Sequence, residues 1–318
     1  PSRLALALCA LLAGASLPVW AADQPCKDSG GNLDPSLDTD VGIEYGTDNA
    51  TCTPTAVAIG RKNTVYTVFN QDTGADLGSE GVAVGAYNTV HSYLGVAIGI
   101  SNTSNFAEST AMGWGNGTLS YQAVAIGNNN AAGARGVDGF IYGNHSSAMG
   151  NFNSANHDFS NAFGYKNVAA GARSSAFGYF NTAGGINNSA FGNNNATSGT
   201  ESSAFGYSNT AGGGGSAFGY DNTANGPNSS AFGFQNTASG INSSAFGHNS
   251  FASGTNSSTF GHKSSASGTN SSAFGFNSRA LNIGSTAIGF EAIADRDFAV
   301  SVGKAGGEHQ IIHLADGT

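Results

Sequence analysis

The sequence predicts an all-β fold, a parallel β-roll (a β-solenoid) built from coils of 14 residues. Two observations carry this. A triplet of a small residue, an apolar residue and Gly recurs from Ala58-Ile59-Gly60 to Ser301-Val302-Gly303, with a step of 14 nearly throughout. The exceptions are a step of 25 ending at Gly85, one of 23 ending at Gly150 and one of 13 ending at Gly219. A fixed short period marks a solenoid. The second observation is composition: 48 of 318 residues are Gly and 10% are charged, against about 7% and about 25% in ordinary globular chains. This excludes a helical or α/β enzyme. Large aliphatic residues and Phe are so few that the chain borders on disorder unless stacked repeats share one core. The net charge of −9 and the lack of any Lys/Arg-rich run exclude nucleic acid, whose affinity comes from phosphate neutralisation.

Taken in order, Arg3 and the apolar run Leu4 to Val19, followed by Ala21, read as a Sec signal peptide over residues 1–21. The run is too short for a resident membrane span. Cys9 leaves with the signal. Residues 22–55 form a cap segment in which Cys26 and Cys52, an even pair in an exported chain, are expected to form a disulfide. Its loop of 27 residues stabilises the cap by about 3 kcal/mol in the chain-entropy model.

The repeats span residues 56–303. Each coil carries the triplet strand and, at a fixed offset, a second motif such as Asn209-Thr210-Ala211. Fourteen residues hold two strands of about five and two turns of two. In Ser203-Ala204-Phe205-Gly206, alternation puts Ala204 and Gly206 on one face, Ser203 and Phe205 on the other. Pairing the Ala faces of the two strands gives an interior of methyl groups alone. Asn, Ser and Thr rungs serve the turns and each other.

The apolar residue of the triplet then forms an outward stripe of Phe163, Phe177, Phe191, Phe205, Phe218, Phe232, Phe246, Phe260, Phe274 and Ile288, continued toward the N-terminus by Ile59, Val84, Ile98, Met112, Ile126 and Met149. Such a stripe does not stay exposed on a soluble protein. Symmetric closure covers it, and a cyclic trimer brings three stripes to one axis.

These residues resemble the head of YadA-type trimeric autotransporter adhesins, whose 14-residue units carry an S-V-A-I-G-like and an S-x-A-x-G-like strand. The resemblance implies a left-handed roll and a homotrimer joined through the stripe. Residues 304–318 look like the start of that family's neck, in which Glu308, Gln310, Ile311, Ala315, Gly317 and Thr318 match, while His309 stands for the usual Arg and His313 for the usual Asn. The family continues into a stalk and an outer-membrane barrel, so the resemblance implies a longer protein, anchored at the bacterial surface. It also implies attachment to host extracellular matrix or cells, and cell–cell aggregation. The alternative is a structural spacer or autoaggregation roll with no specific ligand.

Three places are candidates for binding. One extra segment, Arg61 to Ser79, holds Arg61, Lys62, Tyr66, Phe69 and Asp72; another, Ala134 to Ser147, holds Arg135, Asp138, Phe140, Tyr142 and His145. Loops added to a regular scaffold often carry binding. The third is an aromatic ladder after the triplet glycine: Tyr165, Tyr179, Tyr207, Tyr220, Phe234, His248, His262, Phe276 and Phe290. No motif for catalysis, metal or cofactor occurs, so neither enzyme activity nor a cofactor is expected.

Overall fold

The structure, a computed structural model, describes residues 42–66, 80–135 and 141–313. The signal peptide, Cys26, Phe69, Asp72, Asp138, Phe140 and the last five residues of the neck lie outside them. Every described element is a strand. The chain divides into two compact units, Pro1–Phe152 and Asn153–Thr318.

In the first unit, five-residue strands stack in parallel with glycine on glycine: Gly46 on Gly60, Gly60 on Gly85, then Gly99, Gly113, Gly127 and Gly150. A second parallel ladder stacks two-residue strands from Ala50–Thr51 to Ala131–Ala132. The roll begins earlier than the triplets indicate. Ile43–Thr47 pairs in register with Val57–Arg61, inside the stretch assigned to a cap. Its triplet is hidden because Glu44 and Tyr45 stand where other coils have Ala and an aliphatic residue. The Glu44 carboxylate accepts a bond from Thr51 Oγ1 at 2.7 Å.

In the second unit the long strands run from Asn161–Tyr165 to Val300–Ser301. Ala stacks on Ala, Phe on Phe and Gly on Gly through successive coils. The partner strands are two residues long, three at Ala196–Ser198 and Thr210–Gly212. The sequence led to the expectation of about five there; the remainder is taken up by corners.

The interior is more than methyl groups. Ala204, Ala211, Ala217 and Ala224 are fully buried as expected, but so are Val65, Val90, Thr118 and Thr259 on the same inner faces. A column of asparagines also runs inside. Asn153, Asn167, Asn181, Asn195, Asn209, Asn222 and Asn236 are at most 1% exposed. Asn209 shows the pattern: its Nδ2 donates to Asn195 Oδ1 at 3.0 Å, Phe205 O at 2.9 Å and Gly219 O at 2.7 Å. Its Oδ1 accepts from the Asn222 N–H and Nδ2, both at 3.0 Å. Each rung thus ties three coils. Asparagine fits because its amide both donates and accepts. In the first unit the same column runs from Asn49 through Asn63, Asn88, Asn102 and Asn116 to Asn130. In the second unit it ends at Ser250, whose N–H still reaches Asn236 Oδ1 at 3.0 Å.

The corners follow a second rhythm. Residues with positive φ recur every seven positions, as at Asp221, Asn228, Gln235, Asn242, Asn249, Asn256, Lys263, Asn270 and Asn277, all with φ of 53–58°. Left-handed backbone costs a side-chain-bearing residue roughly 1–2 kcal/mol. Here it turns the chain so that its N–H bonds the neighbouring coil, as Ser208 N–H does to Asn193 O at 2.9 Å. The first corner, from long to short strand, never changes length. The second corner, from short strand to the next long one, takes both insertions, after Val65 and after Ala132, and the deletion near Gly212.

One glycine per coil is obligatory. At Gly206, φ is +119°, and an added Cβ would lie 2.1 Å from Gly219 O in the adjoining coil. No other residue fits that approach.

Candidate interaction surface

Within Ser203–Tyr207, Ala204 points inward while Ser203 and Phe205 point outward. Gly206 does not share the inner face with Ala204, as alternation alone suggests; it is exposed. Its positive φ interrupts the pleat, so Tyr207 also faces out. Most coils of the second unit therefore present two outward rings separated by one glycine.

The first ring column is the stripe. From Phe163 to Phe260 successive ring centroids are 4.8–4.9 Å apart with interplanar angles of 1–6°. Phe274 continues it at 5.6 Å. Phe163 to Phe246 are half-buried and Phe260, Phe274 and Ile288 are 37–45% exposed, so part of each side chain stays open along the column and most of it toward the C-terminal end. In the first unit Ile59, Val84, Ile98, Met112, Ile126 and Met149 hold the same register.

The second column is the aromatic ladder. Tyr165 stacks on Tyr179 at 5.1 Å, and Tyr207 on Tyr220 at 5.0 Å. Asn193 separates these pairs. From Tyr220 ring contacts continue through Phe234, His248, His262 and Phe276 to Phe290, stacked except where His248 tilts by 49° against Phe234. Tyr179, Tyr207 and Tyr220 are 44–48% exposed. Burial in the stack, then the facing His248 and Lys263, push the pKa of His262 below its usual value. Lys166 sits over the rings of Tyr165 and Phe180 at 5.3 and 5.0 Å, a cation–π arrangement.

The other candidates are scattered. Arg61 and Tyr66 are not parts of an added loop: both belong to an ordinary coil, because Asn63 between them is a rung of the inner column. The Arg61 guanidinium donates to the Tyr87 hydroxyl and lies 5.2 Å from that ring. The Tyr66 ring rests against His91 at 4.2 Å. Arg135 and Tyr142 lie on a small antiparallel pair, Ala134–Arg135 with Ile141–Tyr142. Cys52 is disulfide-bonded and 5% exposed. Among the described residues, no group of three or more His, Cys, Asp or Glu is placed to hold a metal ion.

A chain of this kind is a parallel β-solenoid that displays ordered ring columns on its surface. The family model described as YadA head domain repeat (2 copies) matches residues 94–116, 142–167, 162–181, 211–236, 238–258, 260–278 and 280–304. The chain carries a head of the YadA type. Among solved structures it is similar to the collagen-binding domain of the Yersinia adhesin YadA, at 25% identity and a TM-score of 0.32, over 47% of this chain and 76% of that one. No curated protein matches the chain.

Proposed function

We propose that this chain is the head of a homotrimeric surface adhesin, and that it attaches the bacterium to host extracellular matrix or cells and promotes aggregation between cells. The observation that carries the reading is the open Phe column, because an apolar stripe of that length is stable in water only when covered. Three copies placing Phe163 to Ile288 against one another would bury it. The ladder from Tyr165 to Phe290 then remains the aromatic surface for a partner, and aromatic side chains are enriched where proteins dock. Many trimers on one cell supply avidity without strong single contacts. The reading is one of binding, with a Sec signal and an outer-membrane anchor as its companions.

The test has two stages. Light scattering on the chain from residue 22 onward, with and without a fused trimerising coiled coil, is expected to give the mass of a trimer. A stable, soluble monomer would remove the physical support for the reading. On the trimer, replacing Tyr207 and Tyr220 by Ser is expected to abolish retention on collagen-coated or cell-coated surfaces. Full retention would favour the structural-spacer alternative, in which no rung has a specific ligand.

A further inference from the structure

The tripeptide Asn-x-Ser/Thr is the acceptor for sugar attachment to asparagine in exported proteins, and it occurs ten times in this chain. The fold sorts these copies into different environments. At Asn49, Asn102, Asn116 and Asn195 the acceptor is a rung of the inner column, at most 1% exposed. The Nδ2 of Asn195, for example, is committed to Asn181 Oδ1, Phe191 O and Gly206 O at 2.8–2.9 Å. No transferase reaches it in the folded roll.

At Asn228, Asn242, Asn256 and Asn270 the tripeptide reads Asn-Ser-Ser in four successive coils, and the asparagine is exposed at the second corner. Each is the third residue of a tight turn closed by the following N–H: Ser229 to Gly226 O at 3.1 Å, Ser243 to Gly240 O at 3.2 Å, Ser257 to Gly254 O at 3.2 Å and Ser271 to Gly268 O at 3.3 Å. Positive φ alone does not demand asparagine here. Arg173 and Glu201 adopt it at the same corner of earlier coils. The hydroxyl residues completing the tripeptides, Ser230, Ser244, Ser258 and Ser272, stack in register as the first residues of the long strands. Their position is the outward one, next to the buried Ala231, Ala245, Thr259 and Ala273. Three of the acceptor amides bond one another across the surface, Asn242 Nδ2 to Asn256 Oδ1 at 3.1 Å and Asn256 Nδ2 to Asn270 Oδ1 at 3.0 Å. Water or an enzyme displaces such exposed bonds at little cost.

We propose that Asn228, Asn242, Asn256 and Asn270 form a column of N-glycosylation sites along the second corner, taking sugar from an activated sugar diphosphate. In the transfer, Nδ2 bonds to the anomeric carbon and the sugar's C–O bond to the diphosphate breaks. The electron pair leaves on the diphosphate oxygen and the amide gives up one proton; nothing is oxidised or reduced. Acceptors on adjacent coils lie about 4.8 Å apart, so a sugar on one shields its neighbours and partial occupancy follows. The proposal rests on the chain's export to the cell surface.

The test is peptide mapping by mass spectrometry of the protein recovered from the surface of the cells that make it. The comparison is the variant Asn228→Gln, Asn242→Gln, Asn256→Gln and Asn270→Gln, checked for unchanged circular dichroism. Sugar mass is expected on the peptides holding these four residues, absent from those holding Asn102, Asn116 and Asn195, and lost in the variant. A single hexose indicates a nucleotide-linked donor, and a block oligosaccharide a lipid-linked one. Unmodified peptides throughout would overturn the proposal. So would sugar on the inner column, which requires attachment before folding and makes exposure irrelevant. The readout is mass rather than adhesion, so failure here leaves the adhesin reading untouched.

Discussion

Replacing Asn209 by Ala tests whether the inner asparagine column is what holds coil to coil. Asn209 is fully buried and its side chain takes part in five hydrogen bonds of 2.7–3.0 Å. Buried hydrogen bonds contribute about 1 kcal/mol each, and groups left unsatisfied cost more. Two Nδ2 protons serve three acceptors, so the expected loss is about 4 kcal/mol. Asn209→Ser is expected to lose about half as much, because the Ser250 hydroxyl at the equivalent rung still donates to Gly261 O and accepts from Ser264 Oγ. Asn209→Asp is isosteric yet turns the donor into a carboxylate oxygen facing Phe205 O and Gly219 O, so it is expected to exceed the Ala variant. Stability in a solenoid is a sum over neighbouring coils. The damage therefore appears first as faster amide hydrogen exchange between Phe205 and Asn222, and then as a lower urea midpoint at fixed protein concentration. A loss below about 1 kcal/mol for the Ala variant, or an Asp variant milder than Ala, would refute the account.

Other expectations follow from the same geometry. Gly219→Ala places a Cβ 2.1 Å from Gly233 O at a φ of +118°, so it should prevent folding of the surrounding coils, read as lost soluble yield or lost exchange protection. Ser243→Ala should raise stability by about 1 kcal/mol, because the Ser243 hydroxyl is fully buried without a partner; denaturant unfolding checks it. Phe218→Asp should leave the coil folded but abolish the proposed trimer, seen as a fall in mass by light scattering. The lowered pKa of His262 means that below its ordinary value of 6.5 the unfolded chain binds the proton more readily than the folded one. The stability of the coils around His262 should therefore fall as pH drops from 6.5 through the lowered folded value. His262→Phe, matching Phe234 and Phe276 in the same column, should flatten that dependence in hydrogen exchange at pH 7.5 and 5.5.

Much of this architecture is written in the repeat itself. Ala204, Phe205 and Gly206 occupy the same place in coil after coil, so a single alternation argument fixes the inner methyl, the outward ring and the close backbone approach. Alternation misleads where one residue type can serve two roles. Asn209 reads as a turn former, and only the coil geometry shows its amide turned inward to three acceptors. Gly206 reads as an inner-face residue until its φ is known, and with it the outward direction of Tyr207. Arg61 and Tyr66 read as an added loop because the step to Gly85 is long, yet Asn63 keeps them in a regular coil. Glu44 and Tyr45 conceal the first coil by breaking the triplet. For the candidate surface, the Phe column and the aromatic ladder are both legible, since aromatic residues recur at fixed positions. What covers them is not, because the pattern of one chain specifies a stripe and leaves the number of copies to symmetry.

The unequal corners make the roll a scaffold with a fixed spine and an editable edge. Asn209, Gly206 and the residue at positive φ between them lock the first corner to one length, since adding a residue there would pull the inner amide off its rung. The second corner carries no such lock, and the coil holding Gly213, Gly214 and Gly215 closes with one residue fewer while Ser216 still meets Ser203 in register. New segments can therefore be grafted after any short strand without rewriting the rungs above or below. Whole coils can be duplicated the same way, so that the length of the head and the content of its edge evolve, or are engineered, independently of each other.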